Sequence, residues 1–198
     1  ELQTKESMIK RAIELAEKVR GHVSPNPLTG AVIAQHDEII GEGFFSYIGA
    51  QHAEEYALDA AKTRAKGGQI FLPLEPCIQH GSGFSCVDKI MEAGIEEVYI
   101  AVSHPNPRIS GKAIEKLQKA GLKVEIGLCE KAALLLNEFY FKYIQTRRPF
   151  VTLVTAMSLD GKIATHLRDS ENITCPQSRE YVHYLRSFYD AVMVGANT

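Results

Sequence analysis

The sequence lacks the features that define several classes of protein. None of its apolar runs approaches the length needed to span a bilayer, and its N-terminal stretch, ELQTKESMIKRAIELAEKVR, is charged and amphipathic rather than built like a signal peptide. It also has no low-complexity tract, and 45% of its 198 residues are hydrophobic, as in ordinary globular proteins. These observations predict a globular protein that has no membrane partner and is located in the cytoplasm.

The sequence also has no excess of positive charge. Lys and Arg total 22 against 24 Asp and Glu, so the formal net charge is −2. A protein that contacts a phosphate backbone over a broad surface needs clustered Lys and Arg. The composition therefore argues against a nucleic-acid partner.

Cysteine is rare, with four residues in the chain. In a cytosolic protein of this size they are better interpreted as metal ligands or buried thiols than as a disulfide framework. Cys129 and Cys175 have no partners at ligand spacing, and we interpret both as inert. Cys77 and Cys86 have a more suggestive setting, described below.

Helical and strand patterns alternate along most of the chain. They predict an α/β sandwich with a mixed sheet and helices on both faces. The predicted elements are a first helix ending near Gly21, a hairpin of Gly30–Ala34 and Glu38–Phe44, a helix from His52 to Ala65, a strand Gln69–Leu74, a helix Cys86–Ala93, a strand from Glu96, a helix Lys112–Ala120, a strand Leu122–Ile126 and one long helix Glu130–Ile144.

The pattern is interrupted at Arg147-Arg148-Pro149, where we predict a domain boundary that separates residues 1–147 from 148–198. The second part reads as a strand, FVTLVTAM, a helix from Gln177 to Ser187, and a strand, AVMVG. About 50 residues are too few for an independent core. We therefore expect an incomplete second domain, and a native protein that continues beyond Thr198.

A set of metal-binding residue types lies at the starts of two predicted helices. His52 opens one, Cys86 opens another, and Cys77 ends a strand. One imidazole and two thiolates suit Zn²⁺, and a catalytic zinc site leaves its fourth position for water. Glu54 lies in the same helical turn as His52, so its carboxylate could move protons without binding the metal. The set predicts a zinc-dependent deaminase that acts on a pyrimidine-like ring.

Each pair has a simpler interpretation when taken alone. His52 and Glu54 could be a solvated capping pair, and Cys77 and Cys86 could be buried thiols or a structural zinc pair. Their combination, in this order and on these elements, favours the deaminase.

The segments SPNPLTGAVI, GEGF, HAEEYAL, LEPC with Cys86 downstream, HPNP, SLDGKIA and VGANT resemble the bifunctional riboflavin-biosynthesis deaminase/reductase family, in register from Met8 to Thr198. The resemblance implies a cytidine-deaminase-like α/β/α sandwich followed by the start of a dihydrofolate-reductase-like domain that uses NADPH. It implies deamination of diaminohydroxyphosphoribosylaminopyrimidine, then reduction of the ribose. It also implies a small, pyrimidine nucleotide-like substrate as partner and a homo-oligomer.

The resemblance also implies roles for individual residues. His52, Cys77 and Cys86 would bind Zn²⁺, Glu54 would shuttle protons and Asn26 would contact the pyrimidine. In the second domain, the residues implied near NADPH are Ala156, Asn172 and Thr198, and those near the substrate are Ser170 and Arg186.

Two departures from the family pattern concern substrate binding. Phe45 stands where the family usually has His, and the loop from Cys77 to Cys86 offers only Gln79, His80 and Ser82 as polar contacts in place of its usual cation. A specialised relative acting on another aminopyrimidine or a pterin-like compound therefore stays open. So does a non-catalytic binding module whose structural zinc is closed by His80, although such a site has no use for Glu54.

Overall fold

The computed structural model describes residues 2–78, 85–166 and 172–196. The chain divides into two compact units, Glu1–Phe150 and Val151–Thr198. The first unit contains the sheet. Within the described residues, no helix is both long and apolar enough to cross a membrane.

The first unit is built on a five-stranded mixed sheet. Its strands are β1 (Gly30–Gln35), β2 (Glu38–Phe44), β3 (Gln69–Leu74), β4 (Glu97–Val102) and β5 (Lys123–Ile126). They lie in the order β2-β1-β3-β4-β5. β1 pairs antiparallel with β2 and β3, whereas β3, β4 and β5 run parallel, so the predicted mixed sheet is confirmed.

Helices cover both faces of this sheet, as the alternating pattern predicts. The helices of the chain are α1 (Leu2–Glu17), α2 (Ala53–Ala61), which continues as a 3₁₀ turn Lys62–Ala65, α3 (Cys86–Glu92), α4 (Lys112–Lys119), α5 (Glu130–Leu136), α6 (Glu138–Thr146) and, in the second unit, α7 (Pro176–Arg186). Alternate residues of one strand belong to opposite cores: Ile70 and Leu72 pack in the core with α2, α3 and α4, and Phe71 packs in the core with α1 and α5.

Two glycines of β2 fix the position of α2. A Cβ atom at Gly43 would overlap the carbonyl oxygen of Ala53, and one at Gly41 would overlap that of Ala57. The helix backbone therefore lies directly on the strand, which only glycine permits. This contact sets where the first turn of α2, with His52 and Glu54, meets the sheet.

Two helices differ from the prediction. The first ends at Glu17 and is followed by turns rather than continuing to Gly21. The expected helix Glu130–Ile144 is broken at Asn137, whose side-chain amide accepts from the Leu28 N–H and donates to the Leu28 carbonyl, each at 2.8 Å. This buried pair of bonds to a distant loop outweighs the continuity of one helix.

The second unit contains α7, close to the predicted helix Gln177–Ser187. Its described residues, 151–166 and 172–196, contain no strand, so the strands predicted over FVTLVTAM and AVMVG are wrong for this chain. A strand exists only through ladder hydrogen bonds with a neighbour, and neither segment has one here. Their apolar side chains stay exposed, with Leu153 at 85% and Met193 at 93%.

Candidate metal centre and active site

The start of α2 presents His52 and Glu54 at the edge of the first unit's core. The backbone N–H of His52 donates to the Glu55 carboxylate at 2.7 Å, which closes the first turn of the helix. α3 begins in a similar way, because the Ser85 hydroxyl accepts from the Asp88 N–H at 3.2 Å and Cys86 follows as the first helical residue. Both ligand-bearing turns are thus held by their own local sequence.

The side chains of His52, Cys77 and Cys86 converge to a compact triangle. The two sulfur atoms are 3.1 Å apart, and His52 Nδ1 lies 3.1 Å from the Cys86 sulfur and 3.6 Å from the Cys77 sulfur. With Zn–S and Zn–N bonds of about 2.3 and 2.0 Å, a tetrahedral site has ligand-to-ligand edges of roughly 3.5 to 3.8 Å. The triangle therefore fits Zn²⁺ after a small expansion, and donors of this type suit that metal.

The thiols are prepared to act as ligands. The backbone N–H of Cys86, at the start of α3, points at the Cys77 sulfur at 3.4 Å. Hydrogen bonding between the two thiols is the main cause that lowers the pKa of Cys77 and raises that of Cys86, and the bond with His52 lowers the pKa of Cys77 further. One thiolate is therefore favoured even before a metal binds, and thiolate is the form that binds metals.

Glu54 is a buried acid beside this triangle. Its residue is 6% exposed, and burial raises the pKa of its carboxyl to about 7. It is not one of the three residues whose donor atoms cluster for a metal. A carboxyl that titrates near neutrality can both accept and donate a proton, as a general acid–base group must.

A cavity of about 350 Å³ opens onto the centre and contains His52, Glu54 and Cys77 in its wall. Such a volume suits a small aromatic ring with substituents. Asn26, the residue predicted to contact a pyrimidine, lines the same cavity. So does Phe45, whose buried ring meets His52 edge-on at 5.7 Å between centroids.

Glu75, two residues before Cys77, holds a second wall of the cavity in place. Its buried carboxylate accepts three backbone hydrogen bonds, from His104 at 2.9 Å, Gly111 at 3.0 Å and Ala113 at 3.1 Å. These donors lie in the loop after β4 and in the first turn of α4. A single carboxylate at the end of β3 therefore anchors the loop that carries His104.

His104 in turn contacts Tyr140 of α6. The Asn106 N–H donates to His104 Nδ1 at 3.1 Å, and His104 Nε2 lies 3.2 Å from the Tyr140 hydroxyl. Both side chains line the cavity. Sequence reasoning did not select Glu75, His104 or Tyr140; the segments LEPC and HPNP contain the first two, but nothing local indicates a tyrosine 36 residues beyond His104.

The other predicted site residues are not among those that the structure brings together at the metal centre. Gln79, His80, Ser82, Ser170 and Thr198 lie outside the described residues. In the second unit, Ala156 and Asn172 are exposed in irregular segments and Arg186 is exposed at the end of α7. Their roles stay predictions.

Comparison with known proteins agrees with this geometry. Residues 2–102 match the cytidine and deoxycytidylate deaminase zinc-binding region. Over 190 residues, 96% of the chain, the sequence is 44% identical to the riboflavin biosynthesis protein RibD of Aquifex aeolicus. The chain belongs to the RibD family. Residues 149–198 match the RibD C-terminal domain, and the RibD of Escherichia coli is 37% identical over 193 residues, 98% of the chain.

Solved RibD structures share the fold. The diaminohydroxyphosphoribosylaminopyrimidine deaminase/5-amino-6-(5-phosphoribosylamino)uracil reductase of Thermotoga maritima superimposes with a TM-score of 0.93 at 43% identity, over 99% of this chain and 56% of that one. Acinetobacter baumannii RibD gives 0.89 at 38% identity, over 95% and 53%. The chain spans about half the length of the RibD relatives it matches, 53% for the Aquifex protein and likewise 53% for that of Escherichia coli.

Proposed function

We propose that this chain supplies the deaminase activity of a bifunctional riboflavin-biosynthesis enzyme, and that its substrate is diaminohydroxyphosphoribosylaminopyrimidine. The reaction is hydrolysis: water adds to the ring carbon that bears the exocyclic amine, the carbon–nitrogen bond breaks, and ammonia leaves with a ring carbonyl in its place. The observation that carries the proposal is a cluster of three metal-binding side chains beside one buried carboxyl, with His52, Cys77 and Glu54 lining a single cavity.

The residues divide the work between holding a metal and moving protons. His52, Cys77 and Cys86 would hold Zn²⁺, which when bound supplies Lewis acidity that makes water a better nucleophile. Glu54 accepts a proton from the attacking water and delivers protons to the ring nitrogen and the departing amine. Its burial keeps bulk water away from these transfers.

The cavity wall supports a pyrimidine-sized ring. Phe45 offers an apolar surface next to His52, and Ile109 offers another from the loop after β4. Asn26 supplies a polar contact to the ring edge. A specialised relative that acts on a different aminopyrimidine remains the second candidate, because Phe45 places an apolar ring beside the metal ligands.

For the complete protein we propose a second activity, an NADPH-dependent reduction of the ribosyl group, and a homo-oligomeric assembly. The match of residues 149–198 to the RibD C-terminal domain supports this reductase half. Ala156, Asn172 and Thr198 are its proposed cofactor contacts, and Ser170 and Arg186 its proposed substrate contacts.

Metal analysis combined with an ammonia-release assay on the family substrate tests the deaminase proposal. Wild-type protein should hold one zinc per chain and release ammonia, and Cys77→Ser should lose both. Cys129→Ser is the matched control, since that thiol lies near the Glu6 carbonyl and outside the ligand cluster, and it should lose neither. His80→Ala separates a catalytic from a closed structural site: loss of zinc in that variant would make His80 a ligand and would remove the catalytic interpretation.

A further inference from the structure

Two side chains in the wall of the cavity have no part in metal binding or proton transfer. His104, in the loop after β4, and Tyr140, on α6, both line the cavity that contains Glu54. Their rings are perpendicular, at 88°, with centroids 5.9 Å apart, and His104 Nε2 lies 3.2 Å from the Tyr140 hydroxyl. This arrangement suits an in-plane imidazole N–H aimed at a phenol oxygen.

The direction of the hydrogen bond between them follows from the other side of the imidazole. His104 Nδ1 accepts the Asn106 backbone N–H at 3.1 Å, so that nitrogen carries no proton. The ring proton is therefore on Nε2, and His104 donates to the Tyr140 oxygen. Burial lowers the pKa of His104, which is consistent with a neutral ring.

The loop that carries His104 cannot easily turn away. The backbone N–H of His104 donates to the buried Glu75 carboxylate, which also holds Gly111 and Ala113. Rotation of the loop would leave a buried carboxylate with unmade hydrogen bonds, which is costly. The imidazole is thus pinned by its main chain and by its Nδ1 atom.

These contacts use the Tyr140 hydroxyl as an acceptor and leave its O–H donor available. The Tyr140 oxygen accepts from His104, so its own proton points elsewhere, and among residues 2–78, 85–166 and 172–196 no other side chain or backbone group is hydrogen-bonded to it. Burial raises the pKa of Tyr140, so the hydroxyl keeps its proton. A half-buried O–H donor on a cavity wall is suited to an acceptor on a bound ligand.

We infer that Tyr140 is a specificity-determining residue, whose hydroxyl donates a hydrogen bond to a ring carbonyl oxygen of the substrate, and that His104 is a positioning residue that orients this hydroxyl. A ring carbonyl is the strongest neutral acceptor on an aminopyrimidinone. The inference rests on the proposed function, because it takes the cavity to be the deaminase substrate site.

Binding of two small rings separates this inference from a general loss of affinity. Isocytosine carries a ring carbonyl and an exocyclic amine, whereas 2-aminopyrimidine carries the same amine without the carbonyl. Calorimetry would use the zinc-loaded chain in a Glu54→Gln background, so that neither ring is turned over. Adding Tyr140→Phe should raise the dissociation constant of isocytosine about 3- to 10-fold, the usual value of one hydrogen bond. It should change the dissociation constant of 2-aminopyrimidine less than about 2-fold.

Tyr143→Phe is the matched control, since Tyr143 is an exposed tyrosine of the same helix, and it should change neither dissociation constant. His104→Leu should weaken the binding of isocytosine when Tyr140 is present, and should have no further effect in a Tyr140→Phe background. The reason is that the effects of two substitutions that act through one contact do not add. Additive losses would overturn the positioning role of His104.

Three outcomes would overturn the specificity role of Tyr140. Tyr140→Phe could leave the binding of isocytosine unchanged, or it could weaken the binding of both ring compounds by the same factor. The third is that the protein with Tyr140 binds isocytosine no more tightly than 2-aminopyrimidine. The proposed function fails in a different way, by the absence of ammonia release from the family substrate with wild-type protein, which these binding measurements do not use.

Discussion

Lys89 of α3 forms an ion pair with the Glu55 carboxylate of α2, and the other oxygen of that carboxylate accepts the backbone N–H of His52. The pair thereby joins the two helices whose first turns carry His52 and Cys86. Glu55 is 8% exposed whereas the Lys89 side chain is 36% exposed, so the carboxylate end of this contact is shielded from water and the ammonium end is partly solvated. Lys89 is neither a predicted metal ligand nor a cavity-lining residue, yet its ion pair with Glu55 fixes the positions of His52 and Cys86 relative to each other.

Replacing Lys89 by Met should therefore weaken zinc binding by about 10- to 100-fold, as loss of an outer contact to a metal ligand typically does. The physical reason is that Glu55 would lose the partner that keeps its carboxylate oriented toward His52. Competition with a chromophoric chelator measures the affinity. Lys119→Met removes an exposed ion pair with Glu115 on α4 and should leave zinc affinity unchanged; an unchanged affinity in Lys89→Met would contradict the role given to the pair.

Glu54→Gln should leave the zinc content at one per chain and lower the deamination rate by about 10² to 10⁴ fold. The amide has nearly the shape of the carboxylate but cannot transfer a proton, so metal binding and chemistry should separate. Metal analysis and a single-turnover ammonia assay measure the two effects. Glu92→Gln, on the exposed surface of α3, is the control. Loss of zinc together with activity would instead show that Glu54 supports the metal.

Glu75→Gln should lower the free energy of unfolding by about 1 to 3 kcal/mol. In the wild type, the three N–H donors bond to both carboxylate oxygens of Glu75. A glutamine must turn its NH₂ group toward at least one of these donors, which leaves a buried N–H without an acceptor. Urea unfolding measures the change. Glu115→Gln, exposed on α4, should stay within about 0.5 kcal/mol of wild type. Equal effects of the two substitutions would show that the buried bonds contribute nothing.

The stability of the first unit should depend on pH through Glu42. The Arg11 guanidinium donates two hydrogen bonds to this carboxylate, at 2.6 and 3.1 Å, and these bonds hold the pKa of Glu42 below its ordinary value. A carboxyl whose folded pKa is depressed stabilises the fold above its unfolded pKa, and the stabilisation disappears as pH falls through the folded pKa.

The difference in unfolding free energy between wild type and Glu42→Gln should therefore have its maximum value at pH 7 and become smaller below about pH 4. Urea titrations at several pH values measure it. In an Arg11→Gln background the same substitution should give a difference that no longer depends on pH in this way. A difference that grows on acidification would contradict the sign of the pKa shift.

Much of the fold and of the metal centre was predictable because the deciding information is local. The strand Gln69–Leu74 was predicted with its observed bounds, and the hairpin Gly30–Ala34 with Glu38–Phe44 is one residue longer in β1. His52 and Cys86 open helices in the sequence pattern and in the structure. Capping residues, glycines and hydrophobic periodicity act over a few residues, so they can be identified without knowing the rest of the molecule.

By itself, then, the sequence determined the order of elements in the first unit, the three metal-binding residue types and the acid beside them. Only the tertiary structure decided which residues meet across the cavity. Asn137 breaks a helix because Leu28 lies beside it, Glu75 accepts hydrogen bonds from backbone groups 29 to 38 residues later, and His104 faces Tyr140. Such contacts depend on strand order and helix placement, which no short stretch of sequence encodes. The same reason explains the second unit, where apolar segments with strand-like composition form no strand because a sheet requires a partner that local sequence cannot supply.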